Sequence, residues 1–427
     1  MKVLVVGSGG REHALCWAIA KSEKLTELYC APGNAGIADS AKCIDISAED
    51  IDALVRFSLE EKIDLVVVGP EAPLVLGLVD RLEEKGIRTF GPSAKASVLE
   101  GSKGFMKDMC AKAGVPTASY GRFTDAAKAK AFIQENGAPI VVKTDGLAAG
   151  KGVIICQSVA EAEKAVDDMM AEKIFGDAGN EIVVESFLEG EECSFFALVD
   201  GERALPLAAA QDHKAAFDGD KGPNTGGMGA YSPTPIASPE ICDKIMETAI
   251  TPLIKTMAAE GCPYKGVLFC GLMVKDGVPT VLEYNIRFGD PECQVLMMRW
   301  KSDVLEALDA AAQGKLEDIK LEWHDETAMV VVMAANGYPG SYQKGTVIEN
   351  IDQANQIENA YVFHAGTKQV GDQITAVGGR VLGVTGRGKT VVEAQKTTYA
   401  AVDRINWKDG FCRRDIGWRA VAREKQS

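Results

Sequence analysis

Residues 2–6, KVLVV, run straight into the glycine turn Gly7-Ser8-Gly9-Gly10, and residues 11–21 then carry apolar side chains at helical spacing. A continuous apolar run of this kind reads as a strand buried on both faces of a parallel sheet, because a strand with one wet face would alternate. The pattern repeats. LTELYCAP, IDLVVVGP and IRTFGP read as further strands, and residues 49–62 and VLGLVDRLEEKG as helices between them. This alternation predicts a doubly wound parallel sheet with right-handed crossovers, ending near residue 100. Loops that follow its strands gather on one edge, where such sheets bind ligands.

The opening turn is not a dinucleotide fingerprint. Its third glycine position holds Glu12, and the second strand ends Tyr29-Cys30-Ala31-Pro32, with no acid to hold a ribose. A helix N-terminus after a glycine turn still directs free N–H groups at an anion, and Arg11 would add a charge. With the loops at Asn34 and Glu71 on the same edge, the expectation is a phosphosugar site.

A different texture begins at residue 102. SKGFMKDMCAKAG predicts a helix capped by Ser102 and closed by Gly114. FTDAAKAKAFIQENG and EAEKAVDDMMAEKIFG predict two more helices, and PIVVK, GVIIC and EIVVESFL three strands. Together they form a small α+β module inserted in a longer one. Between its first two strands lies TDGLAAGKG. It is not a P-loop, since Gly152 follows Lys151 where Ser or Thr is required. A hairpin tip of small residues, including Gly150, Lys151 and Gly152, instead suits a lid whose backbone N–H groups approach phosphate oxygens. Lys143, ending an apolar strand, needs an anionic partner.

Residues 190–323 predict mixed strands, a long polar loop at 211–235, and a strong strand pair at 266–274 and 279–285. On the second of that pair, Glu283, Asn285 and Arg287 share a face. Two oxygen ligands two residues apart suit Mg²⁺, which completes its shell with phosphate and water. Arg287 beside them can hold a carboxylate. From about 324 the chain starts afresh with AMVVVMAANGYPG, YVFHAGT, RVLGVTG and a helix at 391–405 with Thr390 and Glu393 as a capping box. This predicts a separate small C-terminal mixed domain.

A net charge of −15 excludes a general nucleic-acid binder but leaves room for a nucleotide pocket. Eleven cysteines without a C-x-x-C pair point to neither a disulfide framework nor a zinc site. No nucleophile triad emerges. No leader pattern is present and no apolar run approaches the ~18 residues of a membrane span. The expectation is a cytoplasmic protein with no membrane or nucleic-acid partner.

Twelve segments in order resemble the glycinamide ribonucleotide synthetase family of the ATP-grasp superfamily: GSGGREHAL, APGNAG, VGPEAPLV, LEGSKGFMKD, VVKTDGLAAGKGV, FGDAG, ESFLEGEECSF, QDHK, GPNTGGMGAYSP, EYNIRFGDPE, FHAGT and CRRDIGWRA. The resemblance implies an N-terminal domain at 1–101, an ATP-grasp domain at 102–323 with a lid at about 121–188, and a C-terminal domain at 324–427. It implies ATP phosphates on Lys103 and Lys143 under the 144–152 loop. Adenine would lie against the backbone of Glu185-Ser186-Phe187-Leu188, and the ribose on Glu191. Glu283 and Asn285 would carry Mg²⁺ or Mn²⁺. Glycine and 5-phosphoribosylamine would meet Asp212, Lys214, Thr225, Gly226 and Arg287, together with Gly10, Arg11, Asn34 and Glu71. Arg287 and Lys143 would be the catalytic pair, in a monomer. The implied reaction is ATP-dependent ligation of the two through a glycyl phosphate.

Overall fold

The computed structural model describes residues 1–146, 152–172 and 176–426. Strands β1 (Lys2–Gly7), β2 (Glu27–Pro32), β3 (Lys42–Cys43), β4 (Leu65–Val68) and β5 (Arg88–Phe90) form one sheet, ordered β3-β2-β1-β4-β5 with every pair parallel. Strands β1 and β4 are buried almost throughout, as their unbroken apolar runs require. Helix α1 (Gly10–Ile19) follows β1 and α2 (Ile51–Glu60) precedes β4. The single helix expected at 75–86 is instead two, α3 (Glu71–Val75) and α4 (Leu78–Glu83). Gly77 between them takes a left-handed conformation with φ 84°, which ends the first helix and starts the second.

Helix α5 (Ala94–Gly101) leads to α6 (Lys103–Ala113), whose first turn is capped by Ser102 Oγ accepting from Phe105 N at 3.0 Å. Gly114 closes α6 with φ 67°. The inserted module then contains β6 (Tyr120–Phe123), α7 (Ala126–Asn136), β7 (Ile140–Thr144), β8 (Val153–Cys156), α8 (Val159–Val166) and β9 (Ile182–Ser186). Its antiparallel sheet runs β6-β9-β7-β8. The helix expected at 161–176 keeps its α-helical course only to Val166 and passes into a wider turn at Asp167–Ala171. Ile133, Ile140, Val142, Val166, Ile182 and Val184 give this module a core of its own.

The second sheet runs β11-β10-β16-β17, from β10 (Glu191–Asp200), β11 (Ala204–Pro206), β16 (Lys265–Lys275) and β17 (Val278–Asn285). The segment at 211–235 is not a loop throughout. It contains β12 (Gln211–Asp212), β13 (Ala215–Phe217), β14 (Lys221–Asn224) and β15 (Gly229–Ser232). The polar side chains and glycines of this stretch hide the pattern, yet β15 is wholly buried. Helices α9 (Pro239–Ile245) and α10 (Thr251–Ala259) back the sheet, and α11 (Glu292–Arg299) and α12 (Val304–Gln313) follow β17.

The last unit contains β18 (Thr327–Ala335), β19 (Thr346–Ile348), α13 (Ile351–Asn355), β20 (Ala360–His364), β21 (Thr367–Val370), β22 (Gln373–Ala376), β23 (Arg380–Gly388), α14 (Val391–Val402), β24 (Gly410–Phe411) and α15 (Trp418–Glu424). Its main sheet runs β12-β15-β18-β23-β20, so it takes two strands from before residue 324. The boundary expected at 323/324 is therefore crossed by backbone ladders. The proposed capping box is half made: Thr390 Oγ1 accepts from Glu393 N at 3.2 Å, but the Glu393 carboxylate reaches Lys389 N at 2.8 Å rather than the cap residue.

Two buried histidines lock the first unit to the last. His13 Nδ1 on α1 accepts from His364 N on β20 at 2.7 Å. Gly36 leaves room for both rings, since a Cβ there would lie 2.4 Å from His13 and 2.6 Å from His364. Burial, followed by the neighbouring His364 charge, holds the His13 pKa down at about 3, and burial lowers that of His364 to about 4. Both values lie below the ordinary 6.5, so the unfolded chain binds more protons and stability is lost as pH falls through 6.5 toward 4. Urea unfolding at pH 7 and pH 5 should show a stability loss that shrinks by at least about 1 kcal/mol in His13→Phe/His364→Phe. An identical loss in that variant would contradict the account.

Candidate active site

A cavity of about 490 Å³ opens between the inserted module, the β10/β16/β17 sheet and the edge loops of the first unit. One end is an apolar slot made by Met106, Val141, Val153, Ile155, Met273 and Leu282. Phe187 and Leu188 border it. They lie between the end of β9 at Ser186 and the start of β10 at Glu191, so their backbone leaves both ladders. A flat apolar slot beside unladdered backbone groups is suited to a purine ring.

The other end is charged. Lys143, at the end of β7, is buried and lies 3.0 Å from Glu185 Oε1. The second oxygen of Glu185 lies 3.1 Å from Lys107, which also donates to Thr117 Oγ1 at 2.6 Å. One buried carboxylate thus sits between two lysines. Lys103 opens α6 and donates to Gly146 O at 3.3 Å. Burial, opposed by Glu283, lowers its pKa. Gly152 lines the cavity and its carbonyl accepts from Thr144 N at 2.9 Å, while Gly150 and Lys151 lie outside the described residues.

Strand register selects the acids that face this end. Glu192 pairs with Met273, Gly271 with Glu283, and Phe269 with Asn285. Paired residues share a face and neighbours alternate, so Glu192 looks into the cavity. Glu191, the residue expected at the ribose, is not in the lining and forms an ion pair with Arg423 near the C-terminus. That expectation is corrected by one position. Lys214 bridges the face, 3.1 Å from Glu192 and 3.9 Å from Glu283. Glu192 is the largest cause of the upward shift of the Lys214 pKa, which Glu283 and Asp212 reinforce against burial. Burial pushes the Glu283 carboxyl up, but Lys214, Lys143 and Lys103 outweigh it and keep the group ionised.

Among the described residues no set of three or more His, Cys, Asp or Glu side chains could hold a metal by itself. Glu283 and Asn285 nevertheless fit a divalent ion that arrives with phosphate ligands. An ionised carboxylate and an amide oxygen project from one strand face into the charged end. The described lining carries eight carboxylates and six cations, so a polyanionic nucleotide needs an accompanying cation to enter.

Arg287 lies at the junction with the first unit. Its guanidinium meets Glu71 at 3.2 Å and Glu100 at 3.0 Å, and donates to Asn285 Oδ1 at 3.4 Å. The carboxylates it holds here are the protein's own. Burial opposes its charge, but Glu100 and Glu71 raise its pKa. Arg11 also lines the cavity, yet is engaged by Glu12 at 2.5 Å and by Phe288 O at 3.1 Å. Glu12 folds back to accept from Gly9 N at 2.6 Å. The anion site expected at the glycine turn is thus partly filled by the very acid that breaks the dinucleotide fingerprint.

Gly10 and Asn34 are not in the cavity lining. Gly10 packs against Gln294, 2.5 Å from where a Cβ would stand. Asn34 Nδ2 donates to Ser8 O at 2.8 Å and His364 O at 2.9 Å, which makes it a clasp between loops.

Asp212, Thr225 and Gly226 do line it. Thr225 Oγ1 donates to Lys214 O at 2.9 Å and accepts from Gly227 N at 3.0 Å, bonds that fold the 211–235 segment, a strap along the cavity, onto itself. Burial, and then Glu292, push the Asp212 carboxyl well above the usual range. Arg380 of β23 was not anticipated. It donates to Gly226 O and Asp290 O, each at 2.6 Å, and fastens the strap to the turn after β17. Glu100, Lys107 and Glu292 were also missed. Glu100 and Glu292 sit inside segments already singled out, whereas no local signal connects Arg380 with Gly226.

Models of the three phosphoribosylglycinamide synthetase domains match the chain: the N domain over residues 1–100, the ATP-grasp (A) domain over 101–293 and the C domain over 328–419. A phosphoribosylamine–glycine ligase of Mesorhizobium japonicum is 57% identical over 427 residues, covering 100% of both chains. The chloroplastic enzyme of the same name from Arabidopsis thaliana is 56% identical, over 97% of this chain and 79% of its own. The crystal structure of a phosphoribosylamine–glycine ligase from Thermotoga maritima superposes with a TM-score of 0.85 at 33% identity, covering 97% of this chain and 100% of that one. The biotin carboxylase domain of a Hydrogenobacter thermophilus 2-oxoglutarate carboxylase, solved with MgADP, shares the fold at 20% identity and a TM-score of 0.73, over 96% of this chain and 91% of that one. The chain belongs to the phosphoribosylglycinamide synthetase family.

Proposed function

We propose that this chain joins glycine to 5-phosphoribosylamine, converting ATP to ADP and phosphate and yielding glycinamide ribonucleotide for purine synthesis. The observation that carries this is one cavity in which an apolar slot, the Lys103/Lys143 pair and the Glu283/Asn285 strand converge. The names of the relatives supply the substrates.

Adenine fits the slot against the backbone at 185–188, and Glu192 accepts the ribose hydroxyls in place of Glu191. Lys103 and Lys143 neutralise phosphate charge. Glu283 and Asn285 hold Mg²⁺, or Mn²⁺ in its place, since both of their ligand atoms are oxygens. Bound there, the ion supplies charge neutralisation on the triphosphate.

A glycine carboxylate oxygen attacks the γ-phosphorus, the bond to the β,γ-bridging oxygen breaks, and ADP and glycyl phosphate form. The phosphoribosylamine nitrogen then attacks the glycyl carbon, phosphate leaves, and the nitrogen gives up a proton. No side-chain nucleophile is needed. The residues act by position and charge: Arg287 presents its guanidinium beside Asn285, with Glu71 as its exchangeable partner. Asp212, Lys214, Thr225 and Gly226 shape the acceptor side under the strap, and Arg11 and Glu71 face the phosphosugar. Gly10 and Asn34 support those loops from behind. Closure of the inserted module excludes water, which would otherwise hydrolyse the acyl phosphate.

No helix of the described residues is long and apolar enough to cross a membrane, and we place the reaction in the cytoplasm. A single copy supplies every residue of the proposed site, which supports a monomer. The functional division follows 1–101, 102–323 and 324–427, with the 211–235 strap shared between the last two.

Sustained ADP release should require glycine and phosphoribosylamine together; equal release with bicarbonate or formate replacing glycine would overturn the reading. Lys143→Ala should lower turnover roughly 100-fold with an unchanged circular dichroism spectrum, and near-normal turnover would remove Lys143 from the site. Glu192→Gln should raise the KM for ATP about tenfold while Glu191→Gln changes it less than about twofold; the reverse order would restore Glu191 to the ribose. Chelation of divalent ions should abolish activity but leave the melting temperature within about 2 °C, because two protein ligands contribute little to folding. Unfolding on chelation would point to a structural metal instead.

A further inference from the structure

Among the described residues, β13 (Ala215–Phe217) and β14 (Lys221–Asn224) pair with each other and with no other strand. Strand β14 is exposed throughout. A lone two-stranded hairpin has little stability of its own, so side chains must fix its place. Both of its ends open into the main cavity: Lys214 precedes β13, Asn224 closes β14, and each is in the lining.

The side chains that fix it come from the segment CRRDIGWRA, which contributes nothing to that lining. Arg413 is buried. Its guanidinium grips Asp415 by two parallel bonds, Nε to Oδ1 and Nη2 to Oδ2, each 2.8 Å. The fork so aligned also donates to Asp220 Oδ1 at 2.8 Å, in the hairpin turn, and to Ala215 O at 3.1 Å. Asp415 Oδ2 accepts from Gly219 N at 2.7 Å, so the same pair holds the turn twice. Bidentate pairing of this kind fixes orientation as well as distance.

Lys214 lies between two anchors from this segment. On one side is Ala215, whose carbonyl accepts from Arg413. On the other is buried His213, whose Nε2 accepts from Gly417 N at 3.0 Å. With both neighbours held, Lys214 has little more than its side-chain torsions to settle. Its ammonium reaches Glu192 at 3.1 Å and Glu283 at 3.9 Å. A lysine on a loose backbone would lose more conformational entropy in making that bridge.

We propose that Arg413 is a positioning residue for the main site: through Asp415, Asp220 and the Ala215 carbonyl it holds the hairpin so that the Lys214 ammonium spans Glu192 and Glu283. The effect on turnover rests on the ligase reading of that cavity, whereas the placement of Lys214 does not.

Two measurements on the full chain test it. In a crystal structure of Arg413→Met, Lys214 Nζ should lie beyond about 4 Å from Glu192, outside ion-pair range. An ammonium still bridging Glu192 and Glu283 overturns the proposal whatever the activity. In ADP-release assays, kcat/KM for glycine should fall at least about tenfold in Arg413→Met and in Lys214→Met, while the double variant stays within about twofold of Lys214→Met. Losses that multiply would show a general structural effect and overturn the proposal. Asp415→Asn, which keeps the guanidinium, is the milder variant should Arg413→Met fold poorly: about a threefold loss in the parent and none in Lys214→Met. The same loss in both backgrounds overturns the proposal. Arg414→Met, in the same segment but paired at the surface with Asp403 at 2.7 Å, should match the parent; an equal loss there also overturns it. A parent without glycine-dependent ADP release would remove the ligase reading and leave the crystallographic test to decide the placement of Lys214.

Discussion

Glu283 keeps its charge at the end of a cavity whose burial disfavours it, because Lys214, Lys143 and Lys103 surround it. The rest of the site is arranged around that balance. Each of these lysines is held in turn: Lys214 by Glu192, Lys143 by Glu185, and Lys103 by the Gly146 carbonyl. Lysines and carboxylates thus alternate along the charged end, and a metal-bound triphosphate can replace internal ion pairs with stronger ones of its own. Isolated charges here would have no such exchange partner and would cost several kcal/mol each to bury.

The architecture supplies the two sides of that exchange from different units. The sheet of the inserted module brings Lys143 and Glu185, and that module has an apolar core separate from the rest. The β10/β16/β17 sheet brings Glu192, Glu283 and Asn285, and shares one core with the first unit through Leu99, Met106, Phe195 and Tyr284. One wall therefore packs on its own core while the other shares that of the body. Arg287, bound to Glu71 and Glu100, carries the connection on to the edge loops of the parallel sheet. Arg380 ties the strap to the turn after β17, so the C-terminal unit contributes to the same cavity.

Much of this was legible in the sequence because it is local. The parallel sheet follows from unbroken apolar runs, and the Ser102 cap and Gly114 stop follow from single residues. The shared face of Glu283, Asn285 and Arg287 follows from strand periodicity. The same periodicity, applied across Glu191 and Glu192, could have assigned the inward acid, but it needs the register with Met273 to say which of the two faces in. What could not be read depends on contacts distant in the chain. Asn34 clasps His364 across 330 positions, and Arg380 reaches Gly226 across 154. The strap at 211–235 reads as a loop because its strands are short and the buried one, β15, pairs with β18, more than 90 residues away in sequence.

In the proposed reaction the inserted module and strand β17 meet on one metal triphosphate. A crystal structure of the full chain with magnesium and a non-hydrolysable ATP analogue tests it most directly. The expected result is Glu283 and Asn285 oxygens at about 2.0–2.1 Å from the ion, with the Lys103 and Lys143 ammonium groups on the phosphates of the same nucleotide. Magnesium bound away from Glu283, or phosphates out of reach of both lysines, would contradict the account.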